Sequence, residues 1–245
     1  MPFYEREERM LEVLSERETM TVGEIAEALF ISVPTVRRDL TKLEEKGLIV
    51  RTYGGASIKQ RSADAQIPFI LREREGGEAK SVIAKKAASL VRDGMTVMLD
   101  GSTSAYALIP HLAEFKDVIV IATSAKAAML LGNMGVKTIC TGGHMMDGSY
   151  AFVGYEAERA LEGYNADIAF FSCRGLSDDG VLSDRSIEEN DLRRVMLSRS
   201  SKNVLLLDSG KIGKVYLNRL CSLDAVDELI VECDTPERFK KMLKK

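Results

Sequence analysis

The sequence predicts an α/β protein in two parts: an N-terminal winged helix-turn-helix domain, then a larger α/β domain with a mainly parallel sheet. Three observations carry this. Residues 20–56 hold two short amphipathic patterns, a tight apolar turn, and a Gly-Gly tip after a basic, aromatic strand. Residues 57–80 are polar and contain Pro68 and Gly76-Gly77, which reads as a break between domains. From Lys80 onward short apolar strands alternate with helical stretches, the pattern of a layered α/β domain. The expected boundaries are 1–57 for the first domain, 58–79 for a linker and 80–245 for the second domain.

The first domain opens with a helical pattern over Glu5–Ser15, in which Met10, Leu11, Val13 and Leu14 recur among charges. Thr21 precedes VGEIAEALF and has Glu24 three residues on, the capping-box arrangement that starts a second helix. Ile25, Ala26 and Leu29 are its core face, and Phe30-Ile31 make the turn. Ser32 caps a third helix with Pro34 in its first turn, where a missing N–H costs nothing. Val36, Leu40 and Leu43 point inward and Gly47 ends the helix. LIVRTY is a wing strand, and Gly54-Gly55 its turn.

This layout sets a helix into the major groove of DNA. Thr35 and Arg37 are expected to face bases, because arginine forks onto guanine. Arg38, Lys42, Arg51 and Tyr53 are expected on phosphates, with Ser32, Gly54 and Gly55 completing the candidate interface. Arg38 suits a base equally well, and Asp39 and Glu44 compete for either arginine. A net charge of −3 looks wrong for a DNA binder, but residues 30–61 carry seven cations (Arg37, Arg38, Lys42, Lys46, Arg51, Lys59, Arg61) against Asp39, Glu44 and Glu45. The local stripe is the relevant electrostatic footprint.

The whole chain has 245 residues, 45% hydrophobic and 29% charged, which is globular composition. No apolar run approaches the roughly 18 residues that span a bilayer. The N-terminus MPFYEREERM is charged where an export signal needs an apolar core, so a cytoplasmic protein is expected. Cys140, Cys173, Cys221 and Cys233 are scattered without a C-x-x-C and read as reduced, mostly buried, inert thiols. With only His111 and His144, both read as surface or capping residues, no metal site is expected.

In the second domain the expected strands are 96–100, 118–122, 136–140, 168–172, 204–208 and 229–231, with helices over 81–91, 103–112, 125–131 and 188–197 between them. Ligands of such sheets bind beyond the carboxyl ends of the strands. There the sequence offers Asp100-Gly101-Ser102-Thr103-Ser104, Thr123-Ser124, Thr141-Gly142-Gly143, Ser172-Cys173-Arg174-Gly175 and Asp208-Ser-Gly-Lys211. Backbone N–H groups at a helix start, with hydroxyls and a lysine, favour a small anion. Arg174 and Arg185 fit phosphate binding and an inter-strand salt bridge equally. Met129, Met134, Met145, Met146 and Met196 read as packing or subunit contacts.

Ser32–Leu40 (SVPTVRRDL), with Leu43, Gly47 and RTYGGA at 51–56, resembles the DNA-binding signature of DeoR-family bacterial transcription regulators, Ile31 standing for the usual valine. DGSTS, TGG at 141–143, FVG at 152–154, FFSCRGL at 170–176 and LDSGK at 207–211 resemble that family's effector domain, a relative of sugar-phosphate isomerases. The resemblance implies control of operator binding by a phosphorylated sugar or polyol, as an allosteric effector and without a cofactor. It implies that Gly101, Ser102, Thr103 and Ser104 form the phosphate loop, with Lys211 on the phosphate or a sugar oxygen. Asp100, Thr123, Ser124, Gly142, Gly143, Asp184 and Glu188 are implied sugar contacts, though Ser124 replaces the family's usual asparagine. A symmetric operator demands a homodimer or homotetramer.

The competing expectation is an active sugar-phosphate isomerase with a DNA-binding appendage. Asp100, Asp184, Glu188 or Lys211 would then supply the base that isomerisation needs. The D-G-A-D and K-G-G-G motifs of those isomerases are absent, which favours binding without catalysis.

Overall fold

The computed structural model describes residues 3–15, 17, 19–58 and 68–244. The chain divides into two compact units, Met1–Arg74 and Glu75–Lys245.

The first unit contains α1 (Phe3–Ser15), β1 (Met20–Thr21), α2 (Val22–Leu29), α3 (Val33–Glu45), β2 (Ile49–Thr52), β3 (Gly55–Ile58) and α4 (Phe69–Arg74). Thr21 caps α2 as the sequence requires: its Oγ1 accepts the Glu24 N–H at 3.2 Å, and the Glu24 carboxylate accepts the Thr21 N–H at 2.8 Å. Phe30 then turns the chain with φ +55°, a left-handed conformation uncommon for an aromatic residue. Ser32 caps α3, and Gly47, at φ +66°, closes it. The fully buried Met10, Leu14, Ile25, Val36, Leu40 and Leu43 form the core, and they come from α1, α2 and α3.

β2 and β3 pair antiparallel as the wing, and β3 also pairs with β1. At Gly55 any Cβ would meet the Met20 carbonyl oxygen at 2.1 Å, so only glycine lets β1 and β3 approach. α4 corrects the expected linker at its C-terminal end. Phe69 and Ile70 are buried, Ile70 in the core of this unit, and Arg74 donates to the Glu12 carbonyl at 2.8 Å and Ser15 Oγ at 3.0 Å. Leu71 also packs against that core, so the apolar positions of this short helix dock it on the unit. The rest of the expected linker, with Lys59 and Arg61 of the basic stripe, lies outside the described residues.

The second unit begins with α5 (Gly77–Ala88) and β4 (Thr96–Leu99), then α6 (Thr103–Tyr106), α7 (Ile109–Leu112), β5 (Ile119–Ala122), α8 (Ala125–Asn133) and β6 (Lys137–Cys140). β7 (His144–Met145), β8 (Phe152–Val153), α9 (Tyr155–Glu162), β9 (Ala166–Phe171), β10 (Gly175–Leu176) and β11 (Val181–Asp184) follow. The chain continues through α10 (Ile187–Ser198), β12 (Ser200–Leu206), a 3₁₀ turn at Ser209–Lys211, β13 (Asn218–Ser222), β14 (Glu228–Ile230) and α11 (Glu237–Lys240). Six strands pair in parallel in the order β14-β12-β9-β4-β5-β6. The six strands expected from the sequence are these six.

Strand periodicity assigns the two faces. Val97, Leu99, Val120 and Phe170 pack with Ile83, Ala105, Ile109 and Leu131 from α5–α8. Met98, Ile121 and Ala169 pack with Ala157, Leu161, Leu192 and Met196 from α9 and α10. Chain order runs outward from β4 in one direction through β5 and β6, and in the other through β9, β12 and β14. The order therefore reverses between β4 and β9, and a crevice opens outside their carboxyl ends. Two short accessory sheets, β10-β11-β13 and β7-β8, lie beside this edge. Cys140, on the outer strand β6, is exposed, and so is Cys233, three residues past β14, where mostly buried thiols were expected. Cys173 is buried and its thiol is pushed up to about 12 by burial.

Candidate functional site

The first candidate surface is the outer face of α3 with the wing. Val36, Asp39, Leu40 and Leu43 face inward, which leaves Pro34, Arg37, Arg38, Thr41 and Lys42 exposed, with Thr35 half-buried. The rivalry for Asp39 is resolved by a residue the sequence reading passed over. Arg6 forks onto the fully buried Asp39, Nε to Oδ2 at 2.7 Å and Nη2 to Oδ1 at 3.2 Å, leaving Arg38 Nε at 4.0 Å. The guanidinium of Arg37 has no hydrogen bond or ion pair among the described residues.

Arg51, on β2, donates from Nη1 to the Arg37 carbonyl at 3.5 Å, so wing and recognition helix are tied together. Tyr53 is fully exposed at the wing tip beside Gly54, whose φ of +81° the turn demands. Two of the candidate contacts do other work. Gly55 is buried against β1 for the steric reason given above. Ser32 spends its hydroxyl on the cap, bonded to Thr35 Oγ1 at 2.9 Å and accepting the Thr35 N–H at 3.4 Å.

The second candidate site is the β4/β9 crevice. Asp100 follows β4 and is buried; its Oδ1 accepts the Ser102 N–H at 3.1 Å and its Oδ2 the Ser172 N–H at 3.1 Å. This one carboxylate fixes the loop after β4 and the end of β9. Ser102 caps α6 by accepting the Ala105 N–H at 3.1 Å, and Thr103 and Ser104 are buried beside it. Ser104 Oγ has no hydrogen-bond partner among the described residues. From the next strand end but one, Lys211 Nζ reaches Ser172 Oγ and Asp208 Oδ2, each at 3.1 Å. Thr123 and Ser124 are buried at the end of β5, where Ser124 caps α8. Gly101 would place a Cβ 2.8 Å from that of Ala151, so the loop needs glycine for this approach.

Gly142 and Gly143 have φ of +65° and +103° and root the β7-β8 hairpin, whose Phe152 N–H donates to the Thr123 carbonyl at 2.8 Å. The hairpin thus lies over the loops after β4 and β5. The pocket below it, between Gly101, Thr123, Phe152 and Arg193, has about 10 Å³ of free space. That is roughly what one water needs.

The residue that organises this edge is Arg193, which the sequence reading missed. It lies on α10, almost fully buried, and donates from Nε to Asp100 at 2.9 Å and from Nη1 to Asp184 at 2.9 Å and Asn190 at 3.2 Å. Glu189 stands 3.8 Å from its Nη2. Burial acts to lower the Arg193 pKa, but Asp184, Asp100 and Glu189 outweigh it and the pKa is raised. Asp184 uses its other oxygen on the Arg185 N–H at 2.7 Å. Both aspartates are therefore occupied. Glu188 is not brought to the site: it is exposed on the first turn of α10 and bonds Ser186 Oγ at 2.9 Å, while its neighbour Glu189 turns inward. The available signal for Arg193 was polar residues, Asn190 and Arg193, at helical spacing among the buried Leu192 and Met196.

No helix among the described residues is long and apolar enough to cross a membrane. Residues 6–62 match the DeoR-like helix-turn-helix domain and residues 75–233 the DeoR C terminal sensor domain. An uncharacterized HTH-type transcriptional regulator of Bacillus subtilis, YulB, is 34% identical over 93% of this chain and 88% of its own length. An L-fucose operon activator of Haemophilus influenzae is 30% identical over 96% of this chain and 94% of its own. A lactose phosphotransferase system repressor of Staphylococcus epidermidis is 30% identical over 98% and 96% respectively. With both units matched in order and α3 presenting its arginines, the chain belongs to the DeoR family of DNA-binding transcriptional regulators.

Proposed function

We propose that this regulator represses a carbohydrate-metabolism operon and that a phosphorylated sugar or polyol controls its hold on the operator. The observation that carries the reading is convergence at the point where strand order reverses. The loop at 101–104 and the Lys211–Ser172 pair meet there, joined through Asp100. N–H groups, hydroxyls and one ammonium suit a phosphate and its sugar. The relatives named for lactose and L-fucose systems support a sugar-linked signal.

Thr35 and Arg37 would meet bases. Arg38, Lys42, Arg51 and Tyr53, with the Gly54 tip, would meet phosphates of a symmetric operator bound by a homodimer or homotetramer in the cytoplasm. Thr123, Ser124, Gly142 and Gly143 would line the sugar side. A role without turnover is supported by Asp100 and Asp184, whose oxygens are taken by backbone N–H groups and Arg193 and are not placed to act as a base. A ligand shifts DNA affinity only through unequal affinity for two conformations. A crevice with room for about one water supports ligand entry being coupled to movement of the β7-β8 hairpin.

The test is fluorescence anisotropy on a labelled duplex from the gene's own upstream region, titrated with protein and then with a panel of sugar phosphates. Specific binding reversed by one phosphorylated sugar is the expected result. Specific binding that no member of the panel disturbs would remove the sugar-phosphate control.

A further inference from the structure

One cation beside the crevice makes no ion pair among the described residues. Arg174 lies two residues past Ser172, so the two Cα atoms are at most about 7 Å apart along the chain. Its backbone is fixed on both sides. The Arg174 N–H donates to the Ser183 carbonyl at 3.2 Å, and at Gly175 a Cβ would come within 2.3 Å of the Lys214 carbonyl oxygen. The Arg174 side chain is half-withdrawn from solvent and makes no hydrogen bond or ion pair among the described residues.

Its neighbours are engaged elsewhere. Arg193 holds Asp184 and faces Glu189, Lys211 pairs with Asp208, and the guanidinium of Arg185 lies 5.1 Å from the centre of the Tyr216 ring. Burial lowers the Arg174 pKa, opposed by Asp184, Glu189 and Glu75 and reinforced by Arg185. A half-buried guanidinium that no carboxylate among the described residues pairs with directly is unfavourable in the free protein. A ligand that brings an anion removes that penalty on binding.

The phosphate loop and Lys211 already account for one phosphate. We propose that Arg174 reads a second anionic group, so that the effector is a doubly anionic sugar, a bisphosphate or a phosphorylated sugar acid, rather than a simple monophosphate. This rests on the effector reading above. The planar fork of arginine suits carboxylate and phosphate alike, since both accept two parallel N–H bonds.

The experiment is titration calorimetry on the full chain with matched pairs: D-fructose 6-phosphate against D-fructose 1,6-bisphosphate, and D-glucose 6-phosphate against 6-phosphogluconate. The doubly anionic member of at least one pair is expected to bind more tightly. Arg174→Gln should weaken it on the order of 10- to 100-fold, as loss of a charge-assisted hydrogen bond does, and affect the monophosphate far less. Arg174→Lys should recover part of the difference. Bisphosphate against sugar acid then tells which anion the arginine takes. Equal affinities within both pairs, or an equal loss for both members in Arg174→Gln, would overturn the proposal and leave sugar-phosphate control standing. Binding of none of the four would remove both. Thermal melting without ligand is the second readout: Arg174→Gln should melt no lower than wild type. A lower melting temperature would assign the arginine to holding the fold and overturn the proposal.

Discussion

Arg37 on α3 and Arg193 on α10 each lie within a helix that borders a proposed binding surface, yet their surroundings are opposite. Arg37 is exposed, with no protein partner for its guanidinium among the described residues. Arg193 is buried and spends its donors on Asp100, Asp184 and Asn190. The first unit packs an apolar core with one buried ion pair, Arg6–Asp39, and leaves Arg37 on its outer face. The second unit builds its crevice around a buried charge, so its ligand site and its stability share residues. Substitutions in the two places should fail in different ways.

The largest difference is expected at Arg193. Arg193→Ala leaves two buried carboxylates without their cation, and removal of one partner of such a network costs about 3–5 kcal/mol. Arg37→Ala removes an exposed side chain with no partner and should stay within about 0.5 kcal/mol of wild type. Urea denaturation of both variants decides the matter. Similar losses in the two would mean that Arg193 is not the element that binds β4, β11 and α10 together.

This asymmetry also explains what could be read from the chain. The first unit is local. Its caps, turn and inward positions lie within a few residues of one another, so Thr21–Glu24, Ser32, Gly47 and the triad Val36, Leu40 and Leu43 follow from spacing alone. The six strands were legible for the same reason, as apolar runs bounded by turn residues. The exceptions are long-range. Arg6 meets Asp39 and Arg193 meets Asp100 across 33 and 93 residues, which no spacing rule reports. Gly55 reads as a wing tip and is explained by Met20. The sequence points to Glu188, but Glu189 turns inward instead: adjacent helical residues point about 100° apart, and the motif does not tell which faces the crevice. The hairpin strands β7 and β8 have two residues each, too few for a period to show.

A smaller effect is expected at Lys211. Its ammonium lies between Ser172 and Asp208, so Lys211→Ala should weaken the response to a sugar phosphate by about 1.5–3 kcal/mol, the usual worth of a hydrogen bond to a charged group. The readout is the ligand concentration that releases half the labelled operator. An unchanged midpoint would move the phosphate site away from this lysine. On the DNA side, Arg37→Ala should cost about 1–3 kcal/mol of operator affinity and relax specificity at one position. Arg38→Ala, as a phosphate contact, should weaken all sequences alike and reduce the salt slope by about one. If instead Arg38→Ala relaxes specificity and Arg37→Ala does not, the two arginines exchange roles.

The smallest effect is expected at the exposed capping box of the recognition unit. Glu24 closes the capping box of α2. Its pKa is lowered by the hydrogen bond from the Thr21 N–H, then by that from the Thr21 hydroxyl, with burial opposing and Arg17 adding a little. A carboxyl depressed on folding gives stability that is fully present above its unfolded value and lost as pH falls through its folded value. Wild type should therefore melt above Glu24→Gln at pH 7, and the gap should close as pH is lowered through the carboxylate range. The comparison belongs to the thermal transition of the first unit, followed at several pH values in both variants. A gap that persists at a pH where Glu24 is protonated would mean that the cap works through packing or through the neutral side chain, with no contribution from its charge.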